Sequence, residues 1–295
     1  MKRCSALCLM LLSVAAIAKD APPFDPAGDP AAQAVTFLKG SKLTALGGVR
    51  RVAISQFRVE FAIENSGKAS SSSTAGWTSS RSDITLIGVS DEMRQAITDQ
   101  LYDRFVTGLA EAGVEVVPYE TLSADQNYQS MEHIFRRTQE PVGMQAGKSV
   151  FVGAHGTPYY LTNDDKHIGL GTASGGMFHL SSSVKTTEAL AWVPEQTQFL
   201  FVTPGNGRAR VSLDRTILMP ADVLTLQDVT TKGEKVTEAV SNVLTGLLAH
   251  GGGTSRHYEA TANPDAYQST VTEYGAALEA ALIALVQPAL SGSAQ

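Results

Sequence analysis

The side chains best suited to metal or proton chemistry in this chain are its histidines, His133, His155, His167, His179, His250 and His257. No H-E-x-x-H or comparable ligand spacing joins them, and the even steps from His155 to His167 to His179 match no metal motif. Solvated loop histidines are the default reading, so no metal site is assigned. Gly153-Ala154-His155-Gly156 has the His-Gly order that builds oxyanion holes, but the G-x-S-x-G nucleophile turn that should accompany it is missing. The run Gly171-Thr172-Ala173-Ser174-Gly175-Gly176 places its glycines at the wrong offsets around Ser174.

The same glycines fail as a phosphate loop, because Gly169 and Gly171 are followed by no Walker lysine and no strand-to-helix transition frames them. Asp164 and Asp165 read as a hydrated acidic loop, with no EF-hand spacing to support calcium. Motifs therefore assign no catalytic residue and no cofactor. The enzymatic alternative is an envelope hydrolase whose site is assembled in space from His155, Ser174 and either Asp164 or Asp165.

Composition narrows the classes further. With 43% hydrophobic and 18% charged residues among 295, the chain can bury a sizeable core, which excludes wholesale disorder. A formal net charge of -6 argues against an electrostatic nucleic-acid binder. Lys2 and Arg3, the apolar run Cys4 to Ile17 and the ending Ala16-Ile17-Ala18 have the layout of a secretory signal cleaved after Ala18. That run is shorter than the roughly 20 residues of a comfortable membrane span. A periplasmic or secreted protein without a membrane span in the mature chain is expected. Cys4 and Cys8 are the only cysteines, and both lie in the segment to be removed.

The elements that must position these residues follow from periodicity. Residues 19–48 read as a lead-in with a short helix or strand through Ala34 to Leu38, and 49–290 as a single elaborated domain, with a subdivision near 141–148 left open. The expected fold class is α/β (α+β), a mixed sheet with amphipathic helices packed on it and long Ser/Gly-rich loops. A strand from Arg50 to Ile63 changes face or bulges near Ser55, since its apolar parity switches there. Glu64 to Arg81, serine-rich around a lone Trp77, reads as an exposed loop, because serine and glycine cannot fill a core. A return strand covers Asp83 to Val89. Ser90 then caps a helix whose Met93, Ile97, Leu101, Phe105 and Leu109 recur at four-residue spacing, and Gly113 ends it. A short strand at Val114 to Pro118 completes a unit of βαβ size.

Ser123 to Gln126 looks like a capping box for a further helix carrying Tyr128, Met131, Ile134 and Phe135. Ser149 to Val152 is strand-like, and Pro204-Gly205-Asn206-Gly207 separates two strands as a hairpin turn. Two helices are expected at the end. The first carries Val236, Val240, Val243, Leu244, Leu247 and Leu248; the second is capped by Asn263 and runs from Pro264 to a stop at Pro288. Glu279 interrupts the apolar run of the second, so both are expected to pack in a core.

The order of strand Arg51 to Ile63, serine-rich loop, helix Glu92 to Ala112, strand Val114 to Val117 and helix from Ala124 resembles the periplasmic α/β module of the curli-secretion channel family and the N-terminal domain of TolB. Val52-Ala53-Ile54-Ser55-Gln56-Phe57 stands where that module has its opening strand. The resemblance covers residues 49 to 140, with weaker support to about 230. It implies a cell-envelope assembly, accessory or binding protein. It does not extend to the family's lipid-anchoring cysteine, and Ile168 to Val193 alternates too poorly for a membrane hairpin, so a pore is not expected.

The expected function is therefore a non-enzymatic cell-envelope protein, an assembly or secretion accessory, that binds an envelope protein partner or a small apolar ligand through loops. Homo-oligomerisation is left open. The binding residues expected are Trp77, His155, Tyr159, Tyr160, Ser174 and Phe178. Mass spectrometry of the native protein is expected to find a mature terminus at Lys19 and no thiol; an intact Met1, or acyl lipid on Cys8, would contradict the export signal.

Overall fold

The structure is a computed structural model that describes residues 22–73, 76–144, 147–160, 187–193, 196–203, 207–215, 217, 220, 223–230, 239–242 and 248–292. Asp29 accepts a hydrogen bond from Ala32 N and, with Pro30 preset for the first turn, starts α1 (Pro30–Phe37). The segment expected as a lead-in thus contributes a helix, which runs directly into β1 (Leu38–Ser41). β2 (Arg51–Gln56) is buried from Val52 onward. After a break at Phe57 come β3 (Arg58–Ser73) and β4 (Gly76–Ile87), which pair as an antiparallel hairpin. The face change expected near Ser55 is a change of sheet, since β2 and β3 belong to different ones.

The stretch expected as an exposed loop from Glu64 to Arg81 is strand on both sides, with Ser70 opposite Ser79 and Ser72 opposite Trp77. Ladder hydrogen bonds come from the backbone, so residues that cannot fill a core can still pair. Composition speaks to burial, not to pairing.

Ser90 caps α2 (Asp91–Glu111) by accepting from Met93 N, and Asp91 and Glu92 complement the helix dipole. Ile97, Leu101, Phe105 and Leu109 are buried, as their spacing predicts. β5 (Glu115–Val116) follows and runs parallel to β2. Because β4 and β5 lie in different sheets, α2 joins two sheets instead of crossing over one. α3 (Tyr119–Ser123) precedes the helix expected from Ser123 to Phe135, which is instead the short α4 (Gln126–Gln129) and a 3-10 turn at Glu132–Ile134; the cap of α4 is Asp125, which accepts from Asn127 N and Tyr128 N. Tyr128 and Met131 are buried with Ala53, Val117, Leu122 and Tyr160, a packing that short turns reach and a straight helix does not require.

β6 (Val142–Met144) and β7 (Gly147–Gly153) come next. β8 (Thr187–Val193), β9 (Gln196–Thr203) and β10 (Gly207–Leu213) form an antiparallel meander, which places the expected hairpin between β9 and β10. β11 (Leu224–Asp228), β12 (Ala239–Asn242) and β13 (Leu248–Ala262) complete the strands. A helix was expected over Val236 to Leu248, yet Ala239–Asn242 pairs antiparallel with Leu248–Gly251. β-Branched Val240 suits a ladder better than a helix. Val236, Val243, Leu244 and Leu247 lie outside the described residues.

α5 (Pro264–Leu290) carries Pro264 at its first turn as expected, makes no side-chain cap bond at Asn263, and runs through Pro288 to Leu290. By length and composition it is the one described helix apolar enough to cross a membrane. Here it packs on α1 and α2. Among the described residues, β1-β10-β9-β8-β2-β5 form a six-stranded sheet, and β11-β13-β4-β3-β7-β6, with β12 on β13, form a seven-stranded one. β2 is parallel to β5 and β8, and β13 is parallel to β4, so both sheets are mixed. The fold is α/β, with helices packed on mixed sheets.

The contact of α2 with α5 depends on glycine. A Cβ at Gly275 would stand 2.6 Å from Leu101 Cδ2, and one at Gly108 would stand 2.2 Å from Ile283 Cδ1. Leu101→Ala is expected to cost about 2–5 kcal/mol by leaving a cavity. Gly275→Ala is expected to destabilise by about 1–3 kcal/mol through overpacking, less roughly 1 kcal/mol of helix propensity regained. In the Leu101→Ala background the same change becomes stabilising. Urea denaturation of the four proteins in the cycle checks this, and strict additivity would show that the two positions do not touch.

Candidate functional site

The end of β7 leads into a tight turn at Ala154–Gly156, with φ of 49° at His155 and 67° at Gly156. Gly153 is required before it, because a Cβ there would lie 2.1 Å from the Thr157 carbonyl oxygen. A left-handed histidine is strained, so neighbouring contacts must hold it. Asp99 Oδ1 accepts from His155 N at 2.6 Å and from Gln95 Nε2 at 2.7 Å. Gln95 Nε2 also donates to the Gly153 carbonyl at 2.9 Å.

The imidazole is gripped as well. His155 Nε2 lies 2.8 Å from Asp103 Oδ1, and Nδ1 lies 3.7 Å from Asp99 Oδ2. Asp99 and Asp103 stand one helical turn apart on α2, so a single helix face presents both carboxylates. Tyr102 meets the ring edge to face at 5.5 Å, and burial pushes its phenol above the ordinary range. With both ring nitrogens facing carboxylates, neither is aimed to take a proton from a hydroxyl. The arrangement fixes a turn against a helix. Ser174, Phe178, Asp164 and Asp165 lie outside the described residues.

Tyr159 and Tyr160 come next in the chain and are 2% and 6% exposed. Tyr159 OH donates to the Thr138 carbonyl at 2.8 Å, while its backbone bridges to Arg136. Tyr160 N donates to Gln56 Oε1 at 2.9 Å, and its carbonyl accepts from the Arg58 guanidinium. Arg58, itself buried, also lies over the Phe151 ring at 5.3 Å. Three of the expected binding residues are thus brought into one stretch, with His155 turned to α2 and the tyrosines turned inward. Among the described residues, no group of three or more His, Cys, Asp or Glu is arranged to hold a metal ion.

Trp77 stands apart from them, in β4 beside its connection to β3, with Ser72 and Gly251 as backbone partners. Pairing of β3 with β7 stops at Asn65, whereas β4 accompanies β3 as far as Ser73. β13 continues the sheet on the other side of β4, from His250 opposite Gly76 to Thr261 opposite Ile87, and β12 flanks β13. The result is a ribbon ordered β3-β4-β13-β12. Along Ser66–Ser73 its outer backbone edge meets no described strand. A row of unpaired N–H and C=O groups is a template for another strand.

A second feature lies between α2 and α5, an open groove of about 330 Å³. Arg104, Gly108 and Glu111 line one wall, and Ala276, Glu279 and Ile283 the other. Glu279 is 6% exposed, and its Oε2 makes no hydrogen bond. Burial pushes its carboxyl up to about 9, against the opposing charge of Arg104. Of the residues that shape these features, Gln56, Arg58, Asp99 and Asp103 carry no motif. Glu279 did leave a sequence signal, a carboxylate inside the apolar run Ala276–Val286 of α5.

The raised carboxyl sets a pH dependence. Above its ordinary value of 4.5 the unfolded chain ionises Glu279, while the folded chain keeps the proton up to about pH 9. The folded state binds more protons across that window, so this contribution to stability is present at low pH and declines as pH rises. The slope is at most about 1.4 kcal/mol per pH unit. Urea titrations at pH 5 and pH 8 are expected to show a larger loss in the wild type than in Glu279→Gln; equal losses would contradict a neutral buried carboxyl.

No family model, curated protein or solved structure matches this chain.

Proposed function

We propose that this is an exported, non-enzymatic cell-envelope protein that binds a protein partner by strand addition to the open edge of β3, serving as an assembly or secretion accessory. The observation that carries this reading is the continuation of β3 beyond β7, with Ser66–Ser73 paired on one side only among the described residues. Strand addition draws affinity from main-chain hydrogen bonds and needs close backbone approach. Serine and glycine in β3, β4 and β13 suit that approach, since they place little bulk between two backbones. Trp77, beside the β3–β4 connection, would add an aromatic anchor with few rotamers to lose. Export rests on Lys2, Arg3 and the ending Ala16 to Ala18. The resemblance to the curli-secretion channel module and to TolB points to the same class, and the partner can be a second copy of the chain.

The test shortens the ribbon. Replacing Ser70–Ser79 by Asn-Gly closes the hairpin on the Ala69–Ser80 pair with a two-residue turn. Cross-linking in the intact envelope is expected to recover a defined complex with the wild type and to lose it with the shortened chain, whose thermal midpoint stays unchanged. Light scattering on the purified protein shows whether the partner is another copy. Undiminished recovery by the folded, shortened chain would reject the edge as the contact.

A further inference from the structure

Glu279 sits on an apolar stretch of α5, 6% exposed, where an uncompensated carboxyl costs stability. Among the described residues, its Oε2 has no hydrogen-bond partner, and no ion pair joins it to Arg104, whose charge reaches it. The groove it lines is open to solvent and has the volume, about 330 Å³, of a small-ligand site. Such a group, held beside an open groove, calls for a ligand that supplies hydrogen bonds to an oxygen.

The charge around the groove decides the sign of that ligand. Asp103 and Glu111 join Glu279 in the lining, against Arg104 alone, so the balance is acidic. Asp103 is already engaged by His155 and Glu111 is exposed to solvent, which leaves Glu279 as the buried anchor. α1, the other helix packed on α5, carries no titratable residue in Pro30–Phe37. The rest of the lining is aliphatic, with Ala276, Ala280 and Ile283 on the α5 wall and Gly108 opposite. A cation with an alkyl tail matches both parts.

We propose that this groove binds a small primary alkylammonium ion, with the ammonium on Glu279 and the alkyl chain against Ala276, Ala280 and Ile283. A primary ammonium has N–H donors for the carboxylate that Glu279 presents to the groove, which a quaternary one lacks. The inference is independent of strand addition at β3. The balance of the step is simple: the Glu279 O–H bond breaks, its proton goes to solvent, and the resulting carboxylate accepts an N–H from the ammonium, which keeps its charge. Binding is therefore linked to release of one proton at pH 7 and tightens as pH rises toward about 9. Asp103, Arg104 and Glu111 of α2 face the same groove.

Titration calorimetry of the mature chain with n-butylammonium chloride, run at pH 7 in phosphate and in HEPES, tests the proposal. Saturable binding is expected, with enthalpies that differ between the buffers as release of close to one proton requires. Glu279→Gln is expected to weaken binding about tenfold or more and to abolish the buffer dependence. Butyltrimethylammonium is expected to bind more weakly than n-butylammonium. The wild-type proton count reads the linkage even where the variant folds poorly. Absence of saturable n-butylammonium binding, or full affinity and proton release in Glu279→Gln, would overturn the assignment.

Discussion

At the corner where β2 becomes β3, Arg58 is 5% exposed and cannot shed its charge. Burying a guanidinium costs several kcal/mol unless its donors are used and its charge is met. The Tyr160 carbonyl, the Phe151 ring and the nearby Gln56 Oε1 meet part of that cost here, and they come from three separate parts of the chain. Glu60, further along β3, feels the same centre. Burial raises its carboxyl, while a Ser149 hydrogen bond and the Arg58 charge pull it back. Satisfying one cation therefore fixes the end of one sheet, the start of the other and the path of the chain after β7. That path delivers His155 to Asp99 and Asp103, so the turn depends on the corner.

α2 serves three surroundings at once because successive residues rotate by about 100°. Gln95, Asp99 and Asp103 hold the turn after β7; Ile97, Leu101, Phe105 and Leu109 fill the core; Arg104, Gly108 and Glu111 face the groove. Asp103 belongs to two of these, touching His155 while lining the groove. The glycines at 108 and 275 let α5 approach closely enough for Glu279 to be nearly enclosed, so close helix packing and a costly neutral carboxyl arise together.

Legibility in the sequence followed the range of the interactions involved. The α2 stripe, the β9–β10 hairpin and the start of α5 are set by local spacing, caps and turns, and the structure has them where the sequence places them. What escaped are features made by partners distant in the chain. Ser70 to Ser73 are polar and small, and only pairing with β4 makes them strand. Val240 fits a helical stripe as well as a strand, and β13 decides between them. Gln56 and Arg58 look like breaks in an apolar alternation until Tyr160 arrives from about a hundred positions later. His155 was legible as a candidate through its neighbouring glycines, but its carboxylates on α2 were not, since nothing local links them.

The parallel pairing of β4 with β13 has a consequence for how the molecule is made. Gly76–Ile87 finds its second neighbour only in residues 250–261, far later in the sequence. During synthesis at roughly 5–20 residues per second, β4 therefore emerges long before the strand that covers it. The hairpin of β3 and β4 must wait, one flank open, until residues 250–261 have left the ribosome. Contacts of such sequence separation slow folding. A chain whose ribbon cannot close early stays threadable for longer, which fits the export proposed above.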